Sequence, residues 1–394
     1  MERTERTMLY TVPHYYRKFQ CTASACTDTC CAGWQIMIDD KSLKKYKKIP
    51  GAFGNRVKNS VDWREGSFLQ YEGRCAFLNE ENLCDLYAEA GEHMLCRTCR
   101  MYPRHIEEYE GVREISLSLS CPEAARLILG CREPVRFLSR EDDREESYAS
   151  FDFFLFTKLM DVREGMTAIL QDREEPVAFR IGKVLALAHD VQRRIKREEL
   201  FEIDALLERY QKEKNREKFR EKLEKIRQKT LPRYEIMSQM FEIFEELEVL
   251  KTDWKPYIES VRRTLFSRGE AAYLEAFAQF EREACRGNRW QIFLEQLMVY
   301  FLFTYFCGAV YDGQAYGKVK FAVVSTMLIQ EMAVCRFLED GSFPGEEELA
   351  EIAHRYAKEV EHSDTNLKRL EELFESREIF RLFPLLSVTQ SAER

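Results

Sequence analysis

The stretch CTASACTDTCCAGW, Cys21 to Trp34, carries four cysteines and closes them in an adjacent pair, Cys30-Cys31. Thiols so crowded serve a disulfide framework, a zinc site, an iron–sulfur cluster or a nucleophile. The setting narrows the choice. The opening residues MERTERTMLYTV mix charges of both signs and contain no long apolar run, so no secretory signal is read there and a cytoplasmic location is expected. In a reducing compartment disulfides seldom persist, and clustered cysteines bind metal or do chemistry.

Working outward, ten of the thirteen cysteines lie in the first third of the chain, and Cys131 is the last of them. The other three, Cys285, Cys307 and Cys335, sit in helix-like contexts and read as small buried hydrophobes. Cys26 and Cys30 are one helical turn apart, which aims both thiols the same way if the segment is helical; Cys31 must then point elsewhere. A tetrahedral zinc takes two close pairs, and Cys96-Arg97-Thr98-Cys99 offers one such pair. The nine candidate ligands Cys21, Cys26, Cys30, Cys31, Cys75, Cys84, Cys96, Cys99 and Cys121 exceed one four-thiolate site, and two zinc sites leave one over. An iron–sulfur cluster also takes four thiolates and draws them from less regular spacings. The residues alone leave iron–sulfur, zinc and free or redox thiols open.

A chain of 394 residues with 45% apolar and 12% aromatic content can bury a substantial core in two or three domains. A net charge of −8 and a pI near 5.6 argue against a nucleic-acid protein, whose binding face needs a clustered positive field. The pattern changes near residue 135. Before it come short segments punctuated by Gly and Pro, including two expected strand pairs, RCAFLNEENLCDLY and PRHIEEYEGVREISLSLS, the second turning at EYEG. CPEAARLILG reads as a short helix, with Pro122 early and Gly130 at its end. After a charged linker, REDDREESYAS, apolar residues recur at three- and four-residue spacing almost to the end. The expected fold is mainly α: a small cysteine-rich α+β module carrying a metal cluster over residues 1–135, then an all-helical body over 136–394 with a further boundary near 230. The run LMVYFLFTYFCGAV is shorter than the roughly twenty apolar residues a membrane span needs, so a buried central helix and no membrane span are expected. Arg209 to Lys229 is charged on most faces and reads as a solvated helix or hairpin tip.

The order of Cys26-x3-Cys30-Cys31, GRCAFL with Cys75, LCDLY with Cys84, CRMYP with Cys99 and SLSCPEAARL with Cys121 resembles the cysteine-rich zinc- or iron-chelating proteins whose core ends in a CC pair. The whole array, opening with PHYYRKFQCTASACTDTCCAGWQI, resembles more closely the flagellin lysine N-methylases. The later KVKFAVVSTMLI, following YDG, extends that likeness over most of the chain. The resemblance implies methyl transfer from S-adenosylmethionine to lysine side chains of flagellin, in the presence of an iron–sulfur cluster, expected as 4Fe-4S with zinc as the alternative.

The residues set limits on how such a transfer runs. No strand–GxGxxG–helix unit occurs, so a donor site here is not of the dinucleotide-binding type. A radical mechanism calls for a CxxxCxxC triad, and Gly33 stands where its third cysteine belongs. Polar transfer is therefore expected, in which a neutral lysine amine attacks the methyl sulfonium. Because the lysine reference pKa is about 10.4, the site must desolvate the amine or supply a base. Tyr311 and Asp312, directly after the apolar helix, are the catalytic candidates, although Asp312-Gly313 also reads as a helix-terminating turn. Arg100, Tyr102 and Arg104 can clamp the donor carboxylate or stabilise thiolate charge. Trp34 is either an adenine platform or a core residue of the small module. The six histidines, His14, His93, His105, His189, His354 and His362, show no paired ligand spacing and read as surface or core, with His93 and His105 as substitute ligands. A non-catalytic metal-chelating or metal-delivery protein is the alternative function, and about 260 helical residues exceed what chelation needs.

Overall fold

The structure, a computed structural model, describes residues 8–142, 151–227 and 233–389. In the first third it places strand β1 (Met8–Pro13), helices α1 (Asp40–Tyr46) and α2 (Gly51–Asn59), and the two-residue strands β2 (Val61–Asp62), β3 (Ser67–Phe68), β4 (Gln70–Tyr71) and β5 (Arg74–Cys75). Helices α3 (Asp85–Ala90) and α4 (Arg97–Met101), the hairpin β6 (Arg104–Tyr109) and β7 (Val112–Leu117), helix α5 (Pro122–Leu129) and strand β8 (Phe137–Asp142) follow. The remainder is helical: α6 (Phe153–Gln171), α7 (Val177–Lys196), α8 (Glu202–Gln211), α9 (Arg216–Arg227), α10 (Arg233–Glu245), α11 (Trp254–Phe266) and α12 (Glu270–Ala284). It continues through α13 (Arg289–Tyr305), α14 (Ala309–Asp312), α15 (Ala315–Asp340), α16 (Glu346–Val360), α17 (Asp364–Ser376) and α18 (Leu382–Thr389).

The hairpin, short α5 and long helices arise where the alternating and helical patterns place them. The sheet runs β6-β7-β1-β8, with β1 parallel to β7 and antiparallel to β8. Its inner face presents Tyr109, Glu114 and Ser116 to the helices. Glu114 is buried there because Arg163 of α6 meets it with both terminal nitrogens, one at 2.6 Å, and also donates to the Phe303 carbonyl of α13 at 3.3 Å. A buried carboxylate needs such a bidentate partner to offset its lost hydration. The windows of α13 and α15 that are long and apolar enough to cross a membrane are 89% and 83% buried inside the protein, and form its central helices.

Two apolar cores result. The smaller gathers Ile36, Ile38, Tyr46, Val57, Phe68, Phe77 and Leu86 around the buried Cys75 and Cys96, with Cys31, Cys84 and Cys99 at its margin. The larger joins the helices to Tyr15, Tyr109, Leu117, Ala124, Ile128 and Val135. The cores therefore divide after Cys99 and not at the change of pattern near 135, since the apolar faces of the hairpin and α5 find their cover on the helices. Leu223 and Ile236, either side of the expected boundary near 230, share the larger core; residues 228–232 lie outside the described residues.

Three local expectations are corrected, and one conditional reading, the helical one for Cys26–Cys30, does not apply. RCAFLNEENLCDLY is not a strand pair: β5 is followed by a turn, one Leu78–Cys84 bridge and the start of α3. Cys26 to Cys30 is not helical; a 3₁₀ turn at Ala23–Ala25 gives way to extended backbone at Cys26. Arg140–Asp142 of the expected linker belong to β8, and 143–150 lie outside the described residues. Cys285 is exposed beyond the end of α12, whereas Cys307 and Cys335 are buried.

Candidate functional site

The short elements of the first third act as mounts for sulfur. The Cys75 amide donates to the Cys31 carbonyl at 2.8 Å, which brings the CC pair beside β5. Cys84, Cys96 and Cys121 each immediately precede a helix, α3, α4 and α5, and Cys99 follows Cys96 by one turn. This position lets a sulfur accept amide hydrogens from two or three residues downstream. The backbone amides of Leu86 and Tyr87 act to lower Cys84, those of Thr98 and Cys99 to lower Cys96, those of Glu123 and Ala124 to lower Cys121, and that of Phe77 to lower Cys75. Amide hydrogens on sulfur stabilise the thiolate form that ligates metal.

The thiols also sense one another. Burial raises Cys75, helped by Cys84, Cys96 and Cys30; burial raises Cys121, helped by Cys26 and Cys30. Cys30 and Cys31 stand 4.0 Å apart, and their shared hydrogen bond lowers Cys30 and raises Cys31. Cys30 is thus the hinge between an inner group, Cys31, Cys75, Cys84, Cys96 and Cys99, and an outer group containing Cys26 and Cys121, with Cys21 beside Cys26. All thirteen cysteines are free thiols. Among the described residues no three His, Cys, Asp or Glu side chains stand close enough to hold one metal ion. The thiols gathered around the small core are soft donors of the kind that zinc and iron–sulfur clusters both take.

The loop that carries Cys26, Cys30 and Cys31 is clamped to the helical body through Asp28. Its Oδ2 accepts from Lys358 Nζ at 2.5 Å, Lys251 Nζ at 2.9 Å and, at 3.1 Å, faces His354 Nε2. Lys358 also donates to the Thr29 carbonyl at 2.8 Å. Burial acts to raise the Asp28 carboxyl, but His354 and the two lysines outweigh it and hold the group far below the usual carboxylate range. Burial lowers Lys358, and its charge in turn helps lower Cys30. The cations come from α16 and from the loop before α11, and Glu359 fixes that loop by accepting from the Leu250 and Lys251 amides at 2.9 and 3.0 Å.

Beside this clamp an aromatic stack closes the seam. Trp34 lies on His362 with ring centroids 4.8 Å apart and planes 15° from parallel, and Tyr102 leans on both at 5.9 and 5.8 Å. Trp34 Nε1 donates to the Cys30 carbonyl at 2.9 Å, and the Tyr102 hydroxyl donates to the Ser120 carbonyl at 2.8 Å, one residue before Cys121. Next in the chain after α16, Glu361 accepts from Tyr300 at 2.7 Å and Tyr305 at 2.5 Å, both on its Oε2. Burial raises Glu361 to about 7 against these two hydroxyls, and burial lowers His362 to about 4, helped by Lys358.

The candidate residues do not converge as a set. Trp34 and Tyr102 come together beside Cys30. Arg100 is exposed on α4, and Arg104 is engaged by the Tyr16 hydroxyl at 3.2 Å and the Phe19 ring. Tyr311 is exposed and donates to the Glu108 carbonyl at 2.8 Å, pinning α14 to the hairpin. Asp312 accepts from the Gln314 amide at 2.8 Å and pairs with Lys318 at 2.7 Å, ahead of a left-handed Gly313. These are the contacts of a helix-ending turn. His105 bonds Glu107 at 2.7 Å, and His93 is exposed with its carbonyl taken by Lys45; the ring contacts of His105 are to Tyr305, not to sulfur. Sequence reasoning missed Asp28, Lys251, His354, Lys358, Glu361 and His362. Their one local signal was the single-turn spacing of His354 and Lys358, which puts both on one face of α16.

The FliB lysine N-methylase C-terminal domain family model matches residues 163–388, which lie wholly beyond the thiol array. The flagellar biosynthetic protein FliU of Salmonella muenchen is 34% identical over 128 residues, 30% of this chain and 76% of that protein. Lysine-N-methylases of Salmonella typhimurium and Salmonella choleraesuis are likewise 34% identical over 128 residues, 30% of this chain but 32% of their own length. The match thus spans about a third of those two enzymes. No solved structure matches the chain. With more than half of its length inside the family model, the chain belongs to the FliB lysine N-methylase family.

Proposed function

We propose that this protein transfers methyl groups from S-adenosylmethionine to lysine side chains of flagellin in the cytoplasm, with an iron–sulfur cluster held by its thiol array. The observation that carries the reading is the Asp28 clamp, which fastens the thiol-bearing loop to the body that defines the family. A chelator with no catalytic role has no need for a carboxylate clamped by two lysines and a histidine at that seam. Four thiolates drawn from Cys31, Cys75, Cys84, Cys96 and Cys99 would hold such a cluster, with Cys30 and Cys121 as the alternative ligands. Thiolates engaged in this way would fix the Cys26–Trp34 loop, and with it Trp34, whose Nε1 donates to the Cys30 carbonyl. Trp34 and Tyr102 then offer a π-face to the donor, whose sulfonium and adenine both favour aromatic contact.

Polar transfer is supported by Gly33. It sits at φ 85°, where a side chain is strained, and an added Cβ would meet Lys251 Cγ at 3.1 Å. A third cysteine of a radical triad has no place at that position. The test is anaerobic incubation of purified protein with S-adenosylmethionine and the cognate flagellin, followed by intact mass. Flagellin gaining mass in whole methyl steps, with brown protein, supports the reading; unmodified flagellin beside fully iron-loaded protein contradicts it.

A further inference from the structure

Glu361 is the one carboxylate at the seam that the clamp leaves unexplained. Its Oε2 takes both tyrosine hydroxyls, while its Oε1 is shut off from solvent with no hydrogen-bond partner, and so is Nε2 of the adjacent His362. Buried acceptors without partners are rare, and each demands a reason. The residues around these two atoms, Trp34, Tyr102, His105, Tyr305, Glu361 and His362, are all only partly buried, so the group opens to solvent at its rim. Two hydroxyl donors on one oxygen fix the carboxylate and leave its other oxygen without a partner, and the next residue, His362, stacks on Trp34.

We propose that Glu361 receives the ammonium of the target lysine on Oε1 and is the base of the methyl transfer. The inference rests on the lysine-methylation reading above. In the step, the proton leaves the ammonium nitrogen for Oε1, and the freed nitrogen lone pair attacks the methyl carbon of the sulfonium donor. The carbon–sulfur bond breaks with its electron pair remaining on sulfur, so the products are a neutral thioether and a methylated ammonium. Glu361 afterwards returns its proton to solvent. Tyr300 and Tyr305 are positioning residues: they hold the carboxylate and touch neither reactant. Tyr300 also accepts from the Leu119 amide at 3.3 Å, two residues before Cys121, so the base is tied to the thiol array through one side chain.

The groups that face Glu361 set its titration. They are Tyr300 and Tyr305 of α13 and His105 of β6; Glu107 acts in turn on Tyr305, and Lys358 on the neighbouring His362. Burial raises Glu361 to about 7, the range a base needs to accept a proton and release it near neutral pH. Because the Tyr305 hydroxyl holds the value down, its removal must raise it further.

The experiment measures methyl transfer to flagellin against pH with cluster-loaded full-length protein. Wild type should show an acid limb near pH 7; Glu361→Gln should lose about 100-fold in kcat, keep the KM for the donor and lose the limb. Tyr305→Phe should move the limb to higher pH. If wild type transfers nothing at any pH, the methylation reading itself is wrong. If wild type transfers and Glu361→Gln stays within about threefold with the limb intact, Glu361 is not the base. Should Glu361→Gln fail to fold, Tyr305→Phe decides alone: an unmoved limb overturns the proposal and a limb moved upward supports it.

Discussion

At the scale of single residues, Glu361 and Asp312 make opposite demands. A carboxyl raised by burial from its ordinary range to about 7 favours the fold while protonated, and that contribution is lost as pH rises through 7. Glu361→Gln, neutral and of the same shape, escapes the loss. Its melting temperature should match wild type below about pH 4.5 and exceed it by pH 8, on the order of 2 kcal/mol in stability. Thermal melts across pH check this, and an equal melting temperature at pH 8 means the carboxyl is not desolvated. Asp312 has the contacts of a turn, an amide cap and an exposed ion pair with Lys318. Asn caps equally well and tolerates the same backbone. Asp312→Asn should therefore hold kcat/KM within about twofold, whereas a hydrogen bond to a substrate ammonium would cost roughly 10- to 150-fold on removal. The Tyr-Asp-Gly motif was conspicuous in the sequence. Glu361 was not, since a Glu at a helix end is ordinary until the tyrosines of another helix close over it.

At the scale of elements, legibility followed the range of the interactions. The hairpin β6–β7, helix α5 with Pro122 and Gly130, and helices α6, α7 and α12 rest on local periodicity and were readable. The Cys21–Trp34 loop and the segment after Cys75 are shaped by partners far along the chain, Cys31 with Cys75 and Asp28 with Lys358; the first showed no readable element and the second was misread as a strand pair. Two predictions belong here. Single Ser replacement of Cys30, Cys31, Cys84, Cys99 or Cys121 should lower bound iron and solubility together, because cluster binding is coupled to folding of the small core. Cys285, Cys307 or Cys335 replaced by Ser should leave iron unchanged, and full iron in the first set refutes the ligand assignment. Asp28→Ala leaves the buried Lys358 and its neighbour His354 without their anion, a loss of roughly 3 kcal/mol. Its melting temperature should fall, and limited proteolysis should cut the Cys21–Trp34 loop first. A loop as resistant as wild type would show that the clamp does not hold it.

At the scale of the whole molecule, the change of pattern near 135 marks where strands give way to helices, but the cores divide after Cys99. The hairpin is sealed to the helices by the buried Glu114–Arg163 pair, which a one-dimensional pattern cannot display. The site likewise belongs to neither part. Thiols and Trp34 come from the first third, Lys251 from the loop before α11, His354 and Lys358 from α16 with Glu361 just after it, and Tyr300 and Tyr305 from the central helix α13. The family match covers the helical contribution and leaves the thiol contribution to be tested. The most direct test of the account counts products anaerobically, with cluster-loaded protein, S-adenosylmethionine and flagellin and no added reductant. The account predicts one S-adenosylhomocysteine released per methyl group gained by flagellin, at a rate that dithionite does not change. Transfer that requires a low-potential reductant and yields 5′-deoxyadenosine would contradict it.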